Sequence, residues 1–254
     1  MNDAIQFERN DNNLWNNISI ILVEPSKPQN LGSIARVMMN LGFYNLVIVN
    51  PRLNLADPEI EIVSRRANTI INRAHLVSDL IGLRERFDFL IGTTSRSGSD
   101  YNLRRVAIPP ERLLEEKLEA NKLAIVFGRE QHGLTNAEIE LCDLVVTIPT
   151  HPSYPVLNIS HAATITLYFL SRRFRTISRD DQEEKPKHRV ASYKERQQLL
   201  NYFERLIHTS GYHPEKRHVA SQVFSNIISR GYVTGRELTT LMGVLKWVEL
   251  NLQS

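Results

Sequence analysis

Apolar residues along the chain fall into two patterns. ISIILV (18–23), LVIVNP (46–51), FDFLIGTT (87–94), LAIVFG (123–128) and LVVTIP (144–149) are short runs rich in β-branched residues. Runs without polar alternation suit strands covered on both faces. Between them the spacing turns helical. Ile34, Met38 and Leu41 share a face before a stop at Gly42, and Leu113, Leu114 and Leu118 do so in PPERLLEEKLEAN (109–121). Helices are also expected around Glu59–Ala67, Val77–Phe87 and 135–142, where Thr135 and Glu138 form a capping box. Another is expected over residues 158–172. Strands alternating with amphipathic helices predict an α/β domain on a largely parallel sheet.

After Arg172 the pattern changes. RRFRTISRDDQEEKPKH is charged and poor in large apolar residues, and reads as a linker over 173–190. Beyond it, residues 191–210, 215–230 and 235–253 show helical periodicity, separated by Gly211 and Gly231. The expected organisation is a domain over 1–172, a linker over 173–190 and a helical extension over 191–254. Charge divides along the same line. The whole chain of 254 residues carries 31 Lys+Arg and 28 Asp+Glu, net +3. Residues 1–172 hold 17 basic and 19 acidic side chains, net −2, which leaves 14 and 9, net +5, for residues 173–254. A basic appendage on a near-neutral body suits a polyanionic partner, and equally a solvated helical face.

Several chemistries are excluded. The single cysteine, Cys142, allows neither an internal disulfide framework nor a multi-cysteine zinc site, and no HExxH occurs, so no metal is expected. There is no GxxxxGK followed by Ser or Thr, no GxGxxG after a strand and no GxSxG. MNDAIQFERNDNN lacks an apolar signal core, and prolines interrupt the uncharged stretch Thr147–Ser171. No membrane partner is expected, and the cytoplasm is the expected location.

The candidate chemistry lies in three loops at the C-terminal ends of expected strands, where open α/β sheets bind ligands. In PSKPQNLGSIAR (25–36), Asn30 is placed to cap a helix, Gly32 permits close approach of another backbone, and Arg36 follows about one turn in. In VFGREQHGLTNAE (126–138), Gly128 lets a flat ligand lie against the backbone, with Arg129 and Glu130 on the same turn; an ion pair between them is the simpler alternative. IPTHPSYPVLNIS (148–160) is stiffened by three prolines and leads into a helix. Tyr154 in that loop is a candidate for stacking on a base, although packing inside the fold is the commoner fate of a tyrosine.

Taken together, NLGSIAR, FGREQHGL and IPTHPSYPVLNIS resemble the three motifs of the SPOUT superfamily of RNA methyltransferases, in its SpoU-type ribose 2′-O branch. GTTSRS (92–97) fits as well, and the resemblance spans residues 18–172. The tail resembles the C-terminal extension of the bacterial TrmJ group, which uses S-adenosylmethionine to methylate the ribose of nucleotide 32 in the tRNA anticodon loop. The resemblance implies a SPOUT-type parallel sheet ending in a deep trefoil knot, with a small all-helical extension. It also implies a homodimer whose sites are completed across the interface, and tRNA as partner. Another tRNA nucleotide, ribosomal RNA, or a silent RNA-binding role are the alternatives.

By the same resemblance, S-adenosylmethionine would be held by Thr93, Thr94, Ser95, Gly128, Ile148, Pro155, Val156 and Leu157. Val156 departs from the pattern, which usually has serine there. Arg36 would be the catalytic residue. A guanidinium stays protonated below a pKa of about 12, so its role is to orient RNA and stabilise charge on the 2′-oxygen rather than to act as a base. Glu130 is either a proton acceptor or a partner of Arg129 or of the dimer contact. Asn30 and Asn158 would organise loops or touch substrate. Arg96, Arg104, Arg105 and Arg129 are candidates for phosphate contacts.

Overall fold

Alternate residues of the first strand, β1 (Ile18–Val23), enter different apolar clusters: Ile20 and Leu22 one, Ile21 and Val23 the other. This is why the run shows no polar alternation, since both faces are covered. The computed structural model describes residues 17–95, 107–114, 122–180, 190–231 and 233–252. Six more strands join β1: β2 (Asn45–Val49), β3 (His75–Val77), β4 (Phe89–Thr94), β5 (Ala107–Ile108), β6 (Leu123–Phe127) and β7 (Leu144–Thr147). They form one sheet in the order β3-β2-β1-β6-β4-β7-β5, and every pairing is parallel. From the edge strand β5 the chain returns past β4 to place β6 beside β1, then crosses β4 again to reach β7. The knot implied by the resemblance would lie in this back-and-forth.

Helices α1 (Pro28–Leu41), α2 (Pro58–Ser64) and α3 (Asn68–Asn72) follow β1 and β2, α4 (Asn136–Glu140) precedes β7, and α5 (Ile159–Asp180) follows it. Gly42 ends α1 in the left-handed conformation, φ 87°, as its position after Leu41 predicts. Gly32 is where α1 and α2 meet: a Cβ there would lie 3.0 Å from the Ile60 carbonyl oxygen and 2.9 Å from Val63 Cβ.

Three expectations change. Residues 77–87 are not one helix: β3 ends at Val77 and a 3-10 segment covers Ile81–Arg86, where the Asp79 carboxylate accepts from the Gly82 N–H at 2.7 Å. The helix expected over 109–121 is a 3-10 segment, Pro110–Leu114, as far as the described residues extend. The helix expected to stop at Arg172 continues to Asp180, taking in the first eight residues of the stretch read as a linker. Residues 181–189 of that stretch lie outside the described residues, and Val190, its last residue, pairs with Thr234.

Helices α6 (Tyr193–Thr209), α7 (Arg217–Arg230) and α8 (Gly235–Leu252) have their own small core of Ala191, Leu199, Ile228 and Leu238. The extension meets the sheet domain around one buried carboxylate. Asp143, on the turn before β7, accepts from Arg84 at 2.7 Å, from Arg196 of α6 at 3.0 Å and from the Leu90 N–H at 2.8 Å. Arg196 also donates to the Ala191 and Asp88 carbonyls, and the Arg84 guanidinium lies 3.7 Å from the ring centroid of Tyr193. Burial pushes the Arg84 pKa down while Asp143 draws it back up. No helix among the described residues is long and apolar enough to cross a membrane.

Candidate active site

Because β1, β6, β4 and β7 are parallel neighbours, their C-terminal ends lie along one rim and bring distant loops together. A cleft of about 510 Å³ opens there. Thr93, Thr94 and Ser95 reach it from the end of β4, Gly128 from the end of β6, and Ile148, Pro155, Val156 and Leu157 from the loop after β7. All eight residues implied for the methyl donor thus line one cavity. Phe127, Ile139, Val145 and Val146 add an apolar lining. The Thr166 hydroxyl of α5 also lines it, buried and without a hydrogen-bond partner among the described residues.

Gly128 is required by the loop that follows it. Arg129 and Gly133 exchange two backbone hydrogen bonds, 3.1 and 2.9 Å, folding residues 129–133 into a tight turn with Gly133 at φ 65°. A Cβ on Gly128 would lie 2.2 Å from the Gly133 carbonyl carbon and 2.3 Å from the Leu134 nitrogen, and neither backbone atom can swing aside.

Arg129 and Glu130 do not pair with each other. The Arg129 guanidinium meets Glu138 at 2.9 and 3.0 Å and Glu24 at 3.1 Å. These hydrogen bonds raise the Arg129 pKa. Hydrogen bonds from Arg129 and then Arg52 lower that of Glu24 to about 2. So committed, Arg129 ties the β6 loop to α4 and to the end of β1, which argues against its reading as a phosphate contact. Glu138, legible only as a capping-box residue, serves both the cap and this ion pair.

The Glu130 carboxylate instead accepts from the Ser26 and Lys27 N–H groups at 3.2 Å, the Ser26 hydroxyl at 2.9 Å and Asn30 Nδ2 at 3.4 Å. Burial pushes its pKa up, but hydrogen bonds, led by its own backbone N–H and Ser26, outweigh this and hold it below the ordinary value. Asn30 is not the N-cap of α1, since it sits buried inside the first turn. Its Oδ1 accepts from Asn158 Nδ2 at 3.1 Å, and Asn158 Oδ1 accepts from the N–H and hydroxyl of Ser160, both at 2.8 Å, at the start of α5. One chain of hydrogen bonds, Glu130–Asn30–Asn158, therefore fastens the three loops together.

Arg36 is elsewhere. It lies in the third turn of α1, later than expected because the helix begins at Pro28. It is exposed, within 3.5 Å of the Val63 carbonyl, and lines neither this cleft nor the adjoining one. Arg96, Arg104 and Arg105 lie outside the described residues. No group of three or more His, Cys, Asp or Glu side chains among the described residues is placed to hold a metal ion.

The adjoining cleft, about 360 Å³, shares Glu130, Pro155, Val156, Leu157 and Ile159 with the first and adds Lys27, Asn30, Tyr154 and Asn158. As one lysine in a loop, Lys27 carries no signal until its neighbours are known.

A parallel sheet with ligand-facing loops at the rim defines an α/β enzyme architecture, and comparison with known proteins identifies which. Residues 17–168 match the SpoU rRNA Methylase family, and the chain belongs to it. A tRNA (cytidine-2′-O-)-methyltransferase TrmJ of Methanocaldococcus jannaschii is 37% identical over 232 residues, covering 90% of this chain and 98% of the relative. A tRNA (cytidine/uridine-2′-O-)-methyltransferase TrmJ of Photorhabdus laumondii is 33% identical, with 92% and 97% covered. Among solved structures, a probable methylase family protein from Haemophilus influenzae superposes with a TM-score of 0.62 at 28% identity, covering 93% of this chain and 97% of that one.

Proposed function

We propose that this protein transfers a methyl group from S-adenosylmethionine to the ribose 2′-oxygen of a pyrimidine nucleotide in tRNA, at nucleotide 32 of the anticodon loop. The relatives that span nearly the whole chain carry tRNA cytidine or cytidine/uridine 2′-O-methyltransferase names, which supports this substrate. The observation that carries the reading is the pair of clefts sharing one wall, which lets a donor and a ribose be held side by side.

The first cleft suits S-adenosylmethionine in three respects. Its volume lies in the range of cofactor pockets. Apolar residues line it for a flat base, and the buried Thr166 hydroxyl lacks a partner that a polar ligand could supply. Bound there, the donor supplies an electrophilic methyl on a sulfonium leaving group. The protein's part is alignment, an effect able to contribute roughly 7–11 kcal/mol in the best intramolecular cases. The Glu130–Asn30–Asn158 chain holds the loops on either side of the shared wall. With its hydrogen bonds taken up by Ser26, Lys27 and Asn30, Glu130 serves the reaction as a loop anchor; the 2′-hydroxyl proton passes to water or an RNA phosphate as the donor leaves as S-adenosylhomocysteine.

Since Arg36 lines neither cleft of its own chain, its catalytic role requires a homodimer in which it reaches the partner's site. There it would orient the RNA and stabilise charge on the 2′-oxygen. The extension, residues 191–254, would add tRNA affinity through its basic charge, and the protein would act in the cytoplasm.

The test is nucleoside mass mapping after incubating the protein with labelled S-adenosylmethionine and either tRNA or ribosomal RNA. The expected product is 2′-O-methylcytidine or 2′-O-methyluridine at one anticodon-loop position. Label confined to ribosomal RNA would move the substrate, and no label despite donor binding by calorimetry would overturn the activity.

A further inference from the structure

Tyr154 is 82% exposed, on a loop otherwise built to be rigid. Pro152 and Pro155 flank it, its own N–H donates to the His151 carbonyl at 2.9 Å, and the Thr150 hydroxyl donates to the Pro155 carbonyl at 2.8 Å. Among the described residues its ring stacks on no other and its hydroxyl makes no hydrogen bond. A tyrosine serving the core would be covered, so the fold spends an ordered loop on displaying an uncovered ring. Lys27 stands in the same cleft, exposed and without an ion-pair partner among the described residues. The loop shape presents an aromatic face and a cation together, beside the Val156–Leu157 wall shared with the larger cleft.

We infer that this smaller cleft is the seat of the target nucleotide, with its base stacked on Tyr154 and its phosphate against Lys27. The inference rests on the proposed ribose methylation, and it names the residues that choose and orient the nucleotide. An aromatic face and a cation are the pair that binds a single unstacked nucleotide, and stacking accepts either pyrimidine because every base has a π-face. Val156, 55% exposed, widens the apolar edge beside the ring, so a second copy of this chain packed on the loop is the alternative that the test separates. The seat places the ribose between base and phosphate, next to the wall across which the donor would lie. Recognition here is thus by face and charge, and preference for a particular tRNA must come from elsewhere.

The test compares Tyr154→Ala, Tyr154→Phe and Lys27→Gln in the full-length protein, using tRNA transcripts with cytidine or uridine at the target position. Tyr154→Ala is expected to lower kcat/KM for tRNA roughly 5- to 150-fold, the span of one base–aromatic stack. The loss should fall mainly on KM and be equal for the two pyrimidines. Tyr154→Phe keeps the ring and should stay within about twofold of wild type, and Lys27→Gln should flatten the salt dependence of tRNA binding. Affinity for S-adenosylmethionine and the mass in light scattering should be unchanged in all three. Wild-type turnover by Tyr154→Ala overturns the inference, as does equal damage from Tyr154→Phe. A fall in donor affinity, or dissociation of an oligomer, would assign Tyr154 to the donor site or to a second copy and overturn it likewise. If the wild-type protein methylates no tRNA, the proposed function fails first and this inference with it.

Discussion

Asp143→Asn tests how the helical extension is held. The carboxylate is 5% exposed and receives two guanidiniums and a backbone N–H, at 2.7, 3.0 and 2.8 Å. Asparagine keeps the size but removes the charge, leaving Arg84 and Arg196, 2% and 6% exposed, as uncompensated buried cations. Breaking one partner out of a buried pair costs roughly 3–5 kcal/mol, because the charge left behind cannot recover its hydration. In a chain of this size about 1 kcal/mol moves Tm by roughly 2–4 °C, so a fall of about 6–20 °C is expected. Differential scanning fluorimetry measures it, and limited proteolysis should show cleavage between the sheet domain and α6 at temperatures where the wild type is intact. Arg196→Met removes the α6 guanidinium, and with it the hydrogen bonds to Asp143 and to the Ala191 and Asp88 carbonyls. Combined with Asp143→Asn, it should give a total loss smaller than the sum of the two by about 0.5–3 kcal/mol. A Tm within 2 °C of wild type for Asp143→Asn, on the order of 1 kcal/mol or less, or strict additivity of the pair, would refute the claim that the extension is held around this carboxylate.

Three other outcomes follow from the site. Gly128→Ala puts a methyl 2.2 Å from backbone and should weaken S-adenosylmethionine binding at least tenfold by calorimetry; unchanged affinity would show that the 129–133 turn can move freely. Glu24 titrates near 2 in the folded protein against a usual 4.5, so its contribution to stability is whole above about pH 4.5 and drains away as pH falls towards 2. Urea midpoints of wild type and Glu24→Gln should accordingly differ at pH 7, differ less at pH 3 and converge as pH falls to about 2, and a constant gap would contradict the assignment. Arg36→Ala should abolish methyl transfer while leaving donor affinity intact, and mixing it with a Gly128→Ala subunit should restore activity if Arg36 serves the partner's site. No restoration in mixed dimers would place its action within its own chain.

The strands were legible where burial on both faces leaves unbroken apolar runs, as in β1, β6 and β7. The edge strands β3 and β5, three and two residues long, leave no such run. Gly42, the Thr135–Glu138 capping box and the tail helices also follow from local chemistry, because a cap or an amphipathic period involves residues within a few positions of each other. The residues that line the larger cleft are legible through the resemblance, because its motifs are contiguous in the chain.

Partnerships were a different matter. Arg129 and Glu130 are neighbours in the chain, yet one turns to Glu24 and Glu138 and the other to Ser26, Lys27 and Asn30. Nothing local chooses between those partners, because parallel pairing of β1 with β6 brings together residues about a hundred positions apart. The same holds for Asp143 and Arg196, and for the exposure of Tyr154 and Arg36. By itself, then, the sequence determined the central strands, the longer helices and the loops between them, since short-range sterics and hydrophobic burial decide these. Which charges meet, which ring stays bare and how the extension docks were decided only when the sheet order set the distances between them.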